Sequence, residues 1–523
     1  MKHLIHHLFL TACVLGVGAA GAAVLDDAAL RAYVARFNAG DEELYTNAIA
    51  NAAAADFLAR NVPRFECPDK DIECTYYFRW WTYRKHIRQI PGGWVVTEFL
   101  PKVSWSGPHN TIVCPAGHHF MEGRWLRDPA YLDAYARFWF SAEGATKRYG
   151  YSTWLAYAIT AMGQVRGDDR LSLELLDGFV RHYRRWETQP DLRSAWPQTG
   201  KVSMGGDGKG MFLSTDNCEG SEFSLSGHGY RPLFNSAMYA EAHAIATLAR
   251  RAGRVALAEE FAAKAAVLEK GIKTRIWNDA RGFFTTRAAG GTHSPVRELH
   301  GYAPWYFGLP LGAAYDVAWQ WVDRRDGFDA PRGLTFPEQS APGFKFTYEG
   351  HECQWNGPSW PFATAIALSA LRNRLQNDAA GDLAAGRASF ARLLHQYAAQ
   401  QMRVREDGTS VPWIDEDYHP FTGDWISRTV ILNTPKMKAR FPKERGKDYN
   451  HSTFCDLVIA GLCGLVPQSG EAVVVKPLAP AAWDWWCLDH VRYHGHDLTI
   501  LFDRDGTRYN RGKGLVVLKD GQR

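Results

Sequence analysis

Two acidic segments, about two hundred residues apart, hold most of the side chains in this sequence that could do chemistry. The first runs from Glu219 to Ser224 and includes Glu222; the second runs from Glu416 to Gly423. Each places carboxylates beside aromatic residues. Cleavage of a glycosidic bond needs one protonated carboxyl group to assist the leaving oxygen and one ionised carboxylate to activate water or attack the sugar. The two segments therefore predict a sugar-cleaving enzyme.

The first segment contains three carboxylates within seven positions, namely Asp216, Glu219 and Glu222. They cannot all be ionised in a closed pocket, so one of them should have a raised pKa, as a general acid requires. A solvated acidic loop is the alternative. The glycines of 205–210 lack the preceding strand and the spacing of a nucleotide-binding loop, so no nucleotide site is predicted.

Two further segments mix polar and aromatic residues. The candidates for sugar binding or catalysis there are Glu98, Trp105, His119, Glu122, Gln354, Trp355, Asn356 and Trp360, and Arg231 and Tyr418 join them from the acidic segments. The 20 Trp, 22 Tyr and 27 Phe of the chain offer ring surface for sugars. The neighbouring histidines 118 and 119 point in different directions on a helix or a strand. We therefore predict no metal site.

Composition excludes some partners. The formal net charge of +4 is spread over 523 residues without a block of like charges, so neither nucleic acid nor an anionic membrane is an expected partner. A carbohydrate fits better, and the sequence does not indicate an oligomeric state. The length suits one large domain and one small one.

The N-terminus has the pattern of an export signal. A basic start precedes an apolar run from Leu8 to Val17 and small residues up to Ala23, which predicts a signal peptide over 1–23 and a secreted or periplasmic protein. The run Leu10–Cys13 also resembles a lipobox, so lipidation at Cys13 with membrane attachment is the alternative. In an oxidising compartment, the closely spaced Cys67 and Cys74 are the expected disulfide.

Periodicity predicts a helix from Asp26 to Arg60, followed by a long ordered loop region up to Arg127. Beyond it, helical patterns come in pairs, and their Gly- and Trp-rich connections carry the candidate residues. This arrangement favours a mainly α fold, an (α/α)6 toroid over 24–470, because loops at one rim then converge on a central cavity. An irregular helical bundle is the alternative. The helical patterns span 129–143, 152–166, 172–186, 235–251, 255–278, 313–322, 360–375, 383–401 and 454–465.

From residue 471 the pattern changes to short β-like runs separated by turn signals. The runs are 473–475, 491–493, 498–501 and 515–518. They predict a small C-terminal antiparallel β module over 471–523.

At the four candidate segments the chain resembles the six-hairpin (α/α)6 glycoside hydrolases, the clan of trehalases and processing α-glucosidases. The nearest resemblance is to bacterial mannosylglycerate-hydrolase-like and family 142 members. The matching runs are Gly220–Ser224, with Glu222 where trehalases have Asp, Gln354–Pro358, Glu416–Tyr418 with Thr422 and Gly423, and Pro91–Gly93 with Glu98. The motifs occur in the same order between about residue 73 and residue 500.

The resemblance implies an inverting mechanism without a cofactor. Glu222 is then the general acid and Glu416 the general base, with carboxyl groups about 6.5–9.5 Å apart. Because Glu222 stands where trehalases have an aspartate, Asp216 and Glu219 stay open as alternative general acids. Two other functions stay open: a polysaccharide lyase using Tyr230, Arg231 and His228, and a sugar-binding protein without activity.

Overall fold

The computed structural model describes residues 23–188, 191–194, 201–346, 351–377 and 383–523. The chain folds into a mainly helical body with a small C-terminal antiparallel sheet. Residues 1–22 of the predicted signal peptide, including Cys13, lie outside the described residues. Among the helices that are described, none combines the length and apolar character needed to cross a bilayer.

The helical body has buried helices surrounded by partly exposed ones. Lys70–His86, Pro232–Arg251 and Pro361–Asn377 are buried on almost all sides. Val255–Gly271 packs against the second of these, and Leu383–Gln400 packs against the first and the third. Because Leu383–Gln400 touches the helix near the start of the chain, the ring of helices closes on itself.

The remaining helices complete the ring or carry its connections. The other α-helices are Ala28–Ala39, Asn51–Asn61, Ala116–Gly123, Ala130–Phe140, Ala142–Ala145, Leu155–Arg166, Arg170–Glu174, Leu176–Thr188, Ala303–Tyr306, Ile426–Asn433 and Pro435–Arg440. Short 3₁₀ segments occupy Pro108–Asn110, Asn217–Glu219, Leu299–Tyr302 and Ala313–Trp321, and π-helical turns occupy Ile272–Ile276 and Leu457–Leu462.

The prediction of one helix from Asp26 to Arg60 is wrong. Two helices, Ala28–Ala39 and Asn51–Asn61, replace it. Asp41 follows the first helix, and its buried carboxylate binds Lys85 at 2.9 Å and also contacts Lys447. These ion pairs hold the chain at Asp41. A helix continuing through this position would move the carboxylate of Asp41 away from Lys85 and Lys447.

The predicted loop region before Arg127 is also wrong, because it contains Lys70–His86 and Ala116–Gly123. The first helix begins at a standard cap: Asp69 accepts hydrogen bonds from the amides of Asp71 and Ile72. Smaller corrections affect three other helical predictions. The helix from Val255 ends at Gly271, 313–322 is largely 3₁₀, and 454–465 is mostly a π-helical turn.

The predicted disulfide is not formed either. Cys67 Sγ lies 3.1 Å from the main-chain oxygen of Asp69, while Cys74 Sγ accepts a hydrogen bond from Arg36 at 2.7 Å. The two thiols therefore have different partners.

The C-terminal sheet takes one strand from the beginning of the chain. Its order is Arg64–Glu66, Trp485–Tyr493, His496–Asp503 and Gly514–Lys519, with every neighbouring pair antiparallel. One hydrophobic core includes residues of the helices and residues of this sheet. The module is thus packed onto the body, while the boundary at residue 471 stays a prediction.

Short two- and three-stranded ribbons join the helices. They pair Ile87–Ile90 with Gly93–Val96, Trp277–Asn278 with Phe283–Phe284, Asp329–Ala330 with Gly333–Leu334, Met402–Val404 with Ser410–Pro412, and Leu465–Val466 with Val474–Val475, while Asp191–Ser194, Lys201–Gly206 and Phe212–Leu213 form one sheet.

Candidate active site

A cavity of about 250 Å³ lies where the four candidate segments meet. Four carboxyl groups line it, from Glu98, Glu222, Glu352 and Glu416. The other lining residues are Phe99, Trp105, Ile112, Cys114, Tyr151, Gly220, His351, Cys353, Trp355, Trp360, Phe362, Arg440, Arg445, Tyr449 and His451. The carboxyl groups and the rings required for sugar cleavage therefore share one pocket.

Main-chain hydrogen bonds hold the four segments together. Trp355 N donates to Glu222 O at 2.9 Å, and Ser359 and Tyr418 exchange two bonds of 2.9 Å each. Asn450 N donates to Glu98 O at 3.1 Å. Segments far apart in sequence are in this way fixed around one space, so the acids do not depend on flexible loops for their positions.

Glu222 lies on a tight turn. Gly220 has a φ of +67°, and Phe223 has a φ of +63°, which is unusual for a residue with a bulky side chain. The ring of Phe223 lies against His351, with centroids 5.8 Å apart. Strained backbone of this kind clusters at functional sites, and here it flanks the candidate acid on both sides.

Glu222 favours its protonated form. Burial raises its pKa to about 7, against hydrogen bonds from its own backbone amide and from Cys353. The negative charges of Asp216 and Glu416 act in the same direction as burial. A carboxyl group with a pKa near neutrality holds a proton that it can give away, as a general acid must.

Glu416 is held beside a positive charge. Burial raises its pKa, and the guanidinium of Arg445, which contacts its carboxylate, opposes that shift. Arg445 also binds Glu352 at 2.6 Å. Burial acts to raise the pKa of Glu352, but the charge of Arg445, hydrogen bonds and His351 together hold that pKa below its ordinary value. Arg445 thus favours the ionised form of both of its partners, and Glu416 has the surroundings of a base.

Glu98 is a second carboxyl group in a protonating environment. Burial raises its pKa to about 8, although Tyr449 donates a hydrogen bond to it at 2.5 Å. The charges of Glu416 and Glu222 raise the pKa further. Near neutral pH this side chain is therefore a neutral hydrogen-bonding group in the cavity wall.

Asp216 and Glu219 are buried outside this cavity wall. Arg231 Nε lies 2.8 Å from Glu219 Oε2, and the amide of Phe234 donates to Oε1. Burial acts to raise the pKa of Glu219, but Arg231 and His300 together hold that pKa below its ordinary value. Both oxygens of Glu219 already accept hydrogen bonds, and an ionised carboxylate has no proton to give. Glu222, which lines the cavity, is therefore the better candidate for the general acid.

Several predicted sugar-binding residues hold the fold together instead of lining the cavity. Glu122 accepts the amides of Cys455 and Asp456 at 2.8 and 2.9 Å, at the start of a helical turn. His119 Nε2 lies 2.7 Å from the main-chain oxygen of Asn450, and Arg231 donates to Glu219 and to the hydroxyls of Ser221 and Ser224. Gln354, Asn356 and Tyr418 are also buried outside the cavity wall. These residues therefore lie outside the cavity wall, and their contact with sugar stays a prediction.

The predicted tryptophans do line the cavity. Trp355 and Trp360 stack on each other with centroids 4.1 Å apart and planes 7° apart, and each is only 2% exposed. Trp105 contacts Phe99 edge to face on the wall. The stacked pair therefore gives the cavity a rigid apolar side, of the type that sugar faces pack against.

Some residues of the cavity wall could not be recognised from the sequence. Arg445 and Tyr449 lie in a charged run that lacks a recognisable motif. Glu352 and Cys353 lie in the candidate segment that contains Trp355 and Trp360. The signal that could have identified them is the carboxyl group of Glu352 close to a tryptophan predicted to bind sugar.

A wider cleft of about 650 Å³ is lined by Trp413, Glu444 and Asp448 among other residues. Its acids are already paired: Asp448 binds Lys85 at 2.6 Å, and Glu444 binds Arg428 at 2.6 Å. This cleft therefore lacks an acid that is available for catalysis among the residues that the structure describes.

One group of side chains within the described ranges has ligand atoms close enough to hold a cation. It consists of Asp69, Asp71 and His395. Asp69 caps a helix and bonds His395 at 2.7 Å, and none of the three lines the catalytic cavity. The cluster is thus separate from the acids that could cleave a sugar.

Comparison with known families agrees with this geometry. The mannosylglycerate hydrolase MGH1-like glycoside hydrolase domain matches residues 107–452, and the C-terminal domain of glycosyl hydrolase family 65 matches residues 468–523. The chain belongs to the MGH1-like glycoside hydrolases. The predicted resemblance to the mannosylglycerate-hydrolase-like group is thereby confirmed. Its relation to family 142 stays a prediction.

Solved structures support the fold. A structure named sialidase is 35% identical with a TM-score of 0.84, over 95% of this chain and 43% of that one. The family 78 rhamnosidase of Bacillus sp. GL1 is 13% identical with a TM-score of 0.51, over 84% and 40% of the two chains, and shows the fold alone. The predicted helical toroid with a small C-terminal sheet is confirmed. The chain spans less than half of either relative.

Proposed function

We propose that this MGH1-like glycosidase is an exported, inverting enzyme that removes a single neutral sugar from the end of an oligosaccharide or polysaccharide side chain. Glu222 is the general acid and Glu416 the general base. The observation that carries this proposal is that one cavity contains a carboxyl group with a pKa of about 7 and a carboxylate bound to an arginine.

The proposed reaction is a single displacement. Glu222 gives its proton to the glycosidic oxygen as the bond from that oxygen to the anomeric carbon breaks. Glu416 takes a proton from water, whose oxygen bonds to the anomeric carbon from the opposite face. The products are a free sugar of inverted configuration and an alcohol, and solvent returns both carboxyl groups to their starting states.

The size of the cavity supports removal of one terminal sugar. Sites for larger ligands occupy about 300–1,000 Å³, whereas this cavity has about 250 Å³. Deep aromatic walls leave room for one ring, with the leaving group toward the entrance.

The charges in the wall favour a neutral sugar. Arg445 is already bound by Glu352 and Glu416, and the exposed Arg440 is a lining residue on a surface helix. A substrate carboxylate inside the cavity would face the carboxylates of Glu352 and Glu416, which share a single guanidinium, and like charges at short distance repel strongly in a buried site.

The rival lyase mechanism has less support. It needs an arginine that is available to neutralise a uronate, but Arg231 is buried against Glu219 at 2.8 Å. Neither His228 nor Tyr230 lines the cavity. A protein without activity would have no need for opposed acid and base environments.

A panel of aryl glycosides and plant oligosaccharides, tested with the purified protein, identifies the substrate. Glu416→Ala is expected to lower kcat by about 10²–10⁴-fold on that substrate, because the attacking water loses its base. Proton NMR of the first product should show the inverted anomer. Near-full turnover by Glu416→Ala would remove Glu416 from the mechanism, an early retained anomer would refute inversion, and products with unsaturated ends would establish the lyase.

A further inference from the structure

A thiol touches the proposed acid. Cys353 Sγ lies 3.4 Å from Oε2 of Glu222, and both residues line the cavity. Cys114 is another thiol in the wall, but its Sγ lies 3.9 Å from the main-chain oxygen of Glu219. The contact with the Glu222 carboxyl group is therefore specific to Cys353 among these two thiols.

The backbone holds Cys353 in this place. Trp355 N, two residues further along, donates to the main-chain oxygen of Glu222 at 2.9 Å. The amide of Cys353 also lies 3.1 Å from Nδ1 of His351, which closes a short turn. The contact between Cys353 and Glu222 thus belongs to a fixed arrangement of two segments.

The chemistry of the thiol suits a donor. Burial raises the pKa of Cys353 well above its ordinary value, so the sulfur keeps its proton at neutral pH. An S–H group is a weak donor, and either form of a carboxyl group accepts from it. Because sulfur donates to Oε2, the proton of Glu222 is better placed on Oε1.

We propose that Cys353 is a positioning residue for the reaction: its S–H···Oε2 hydrogen bond fixes the carboxyl group of Glu222 so that Oε1 delivers the proton to the leaving oxygen. This inference rests on the proposed role of Glu222 as general acid. No bond to sulfur forms or breaks in the reaction.

A direct titration tests the contact without any activity. Protein carrying ¹³C at the glutamate side-chain carboxyls is followed by NMR against pH, and the signal absent from Glu222→Gln belongs to Glu222. Because a hydrogen bond to the charged form lowers a pKa, Cys353→Ala should raise the pKa of Glu222 by about 0.5 unit. Cys353→Ser keeps a donor and should leave it at or below the wild-type value. Cys114→Ala is the matched control and should not move it.

Kinetics on two substrates test the positioning. With the phenyl glycoside of the sugar found by the panel, Cys353→Ala should lose about 3–10-fold in kcat, and Cys353→Ser should recover most of it. With the dinitrophenyl glycoside the loss should nearly vanish, because that leaving group needs no proton.

Three outcomes would overturn the inference. An unchanged pKa of Glu222 in Cys353→Ala would remove the hydrogen bond, and equal losses on both substrates would indicate a purely structural role. Complete loss of turnover on both substrates, in the serine variant as well, would indicate a sulfur nucleophile. Failure of the proposed function is distinguishable, since Glu222→Gln would then hydrolyse both substrates like the wild type.

Discussion

At the scale of single residues, Arg445 makes the environments of Glu222 and Glu416 different, although burial acts on the pKa of both in the same direction. Glu222 and Glu416 are both buried, and burial raises the pKa of each. Only Glu416 contacts the guanidinium directly. A positive charge next to a carboxylate stabilises the ionised form. The division of roles between acid and base therefore depends on which of them Arg445 binds.

Replacement of Arg445 tests that dependence. In Arg445→Met the pKa of Glu416 should rise, because burial is no longer opposed, and the base is then ionised only at higher pH. The acidic limb of the kcat/KM profile should therefore move upward by about one unit or more. The measurement is the pH profile of the phenyl glycoside.

Two controls accompany this variant. Arg445→Lys keeps the charge and should restore part of the shift, whereas Arg440→Met removes an exposed charge at the rim and should leave the limb in place. An acidic limb that does not move in Arg445→Met would show that Arg445 does not set the ionisation of Glu416.

The acidic residues of the cavity could be predicted from the sequence, whereas the residues that bind and orient them could not. Glu222, Glu416, Glu98 and Trp105 line the cavity as expected. In the sequence, Asp216 and Glu219 could not be distinguished from Glu222 as the general acid. In the fold, Glu219 is bound to Arg231, and of the three acids Glu222 is the one whose side chain reaches the cavity. Such partners depend on the tertiary fold, so spacing in the sequence does not reveal them.

At the scale of elements, the turn carrying Glu222 requires a glycine at position 220. Its φ is +67°, and a Cβ there would lie 2.8 Å from Cys114 Sγ. Gly227, on the same loop, has a φ of +65°, but a Cβ there meets nothing within 4 Å. Both glycines have a left-handed φ, but a Cβ would clash with Cys114 only at position 220. The two positions are therefore a matched pair for substitution.

Alanine at each position should therefore have different effects. Gly220→Ala and Gly227→Ala should each lower the free energy of unfolding by about 1 kcal/mol, because a left-handed φ is costly for alanine. Only Gly220→Ala should also lower kcat, since the clash displaces the turn of Glu222. Urea unfolding and kcat on the phenyl glycoside measure both effects. Equal kcat values for the two variants would show that the turn tolerates the displacement.

Elements buried on all sides were the hardest to predict. Lys70–His86 carries polar and aromatic residues around its whole circumference and is almost completely buried. It lacks the apolar stripe by which a surface helix is recognised, so its sequence looked like a loop. The partly exposed Leu383–Gln400 was predicted within one residue.

At the scale of the whole molecule, the cavity makes stability depend on pH. The pKa is about 8 for Glu98 and about 7 for Glu222, against about 4 in an unfolded chain. Between pH 4 and 8 the folded state thus binds more protons than the unfolded state. The stabilisation is fully present below about pH 4 and is lost as the pH rises toward 8.

The variants Glu98→Gln and Glu222→Gln should remove part of this dependence. Each should raise the free energy of unfolding at pH 8 by about 2 kcal/mol and change it little at pH 5, because the amide resembles the protonated acid. Glu219→Gln is the opposite control: it breaks a buried ion pair with Arg231 and should destabilise at pH 8. Urea unfolding at both pH values measures this. No gain at pH 8 for either cavity variant would refute the raised pKa values.

The central claim is that Glu222 is the general acid, and leaving-group dependence tests it most directly. Turnover of the phenyl and dinitrophenyl glycosides is compared in Glu222→Gln, Glu219→Gln and Asp216→Asn. We predict that Glu222→Gln loses about 10²–10⁴-fold on the phenyl glycoside and only a small part of that on the dinitrophenyl glycoside, while the other two variants show no such difference. Equal losses of Glu222→Gln on both substrates, or a selective loss in Glu219→Gln or Asp216→Asn, would contradict the account.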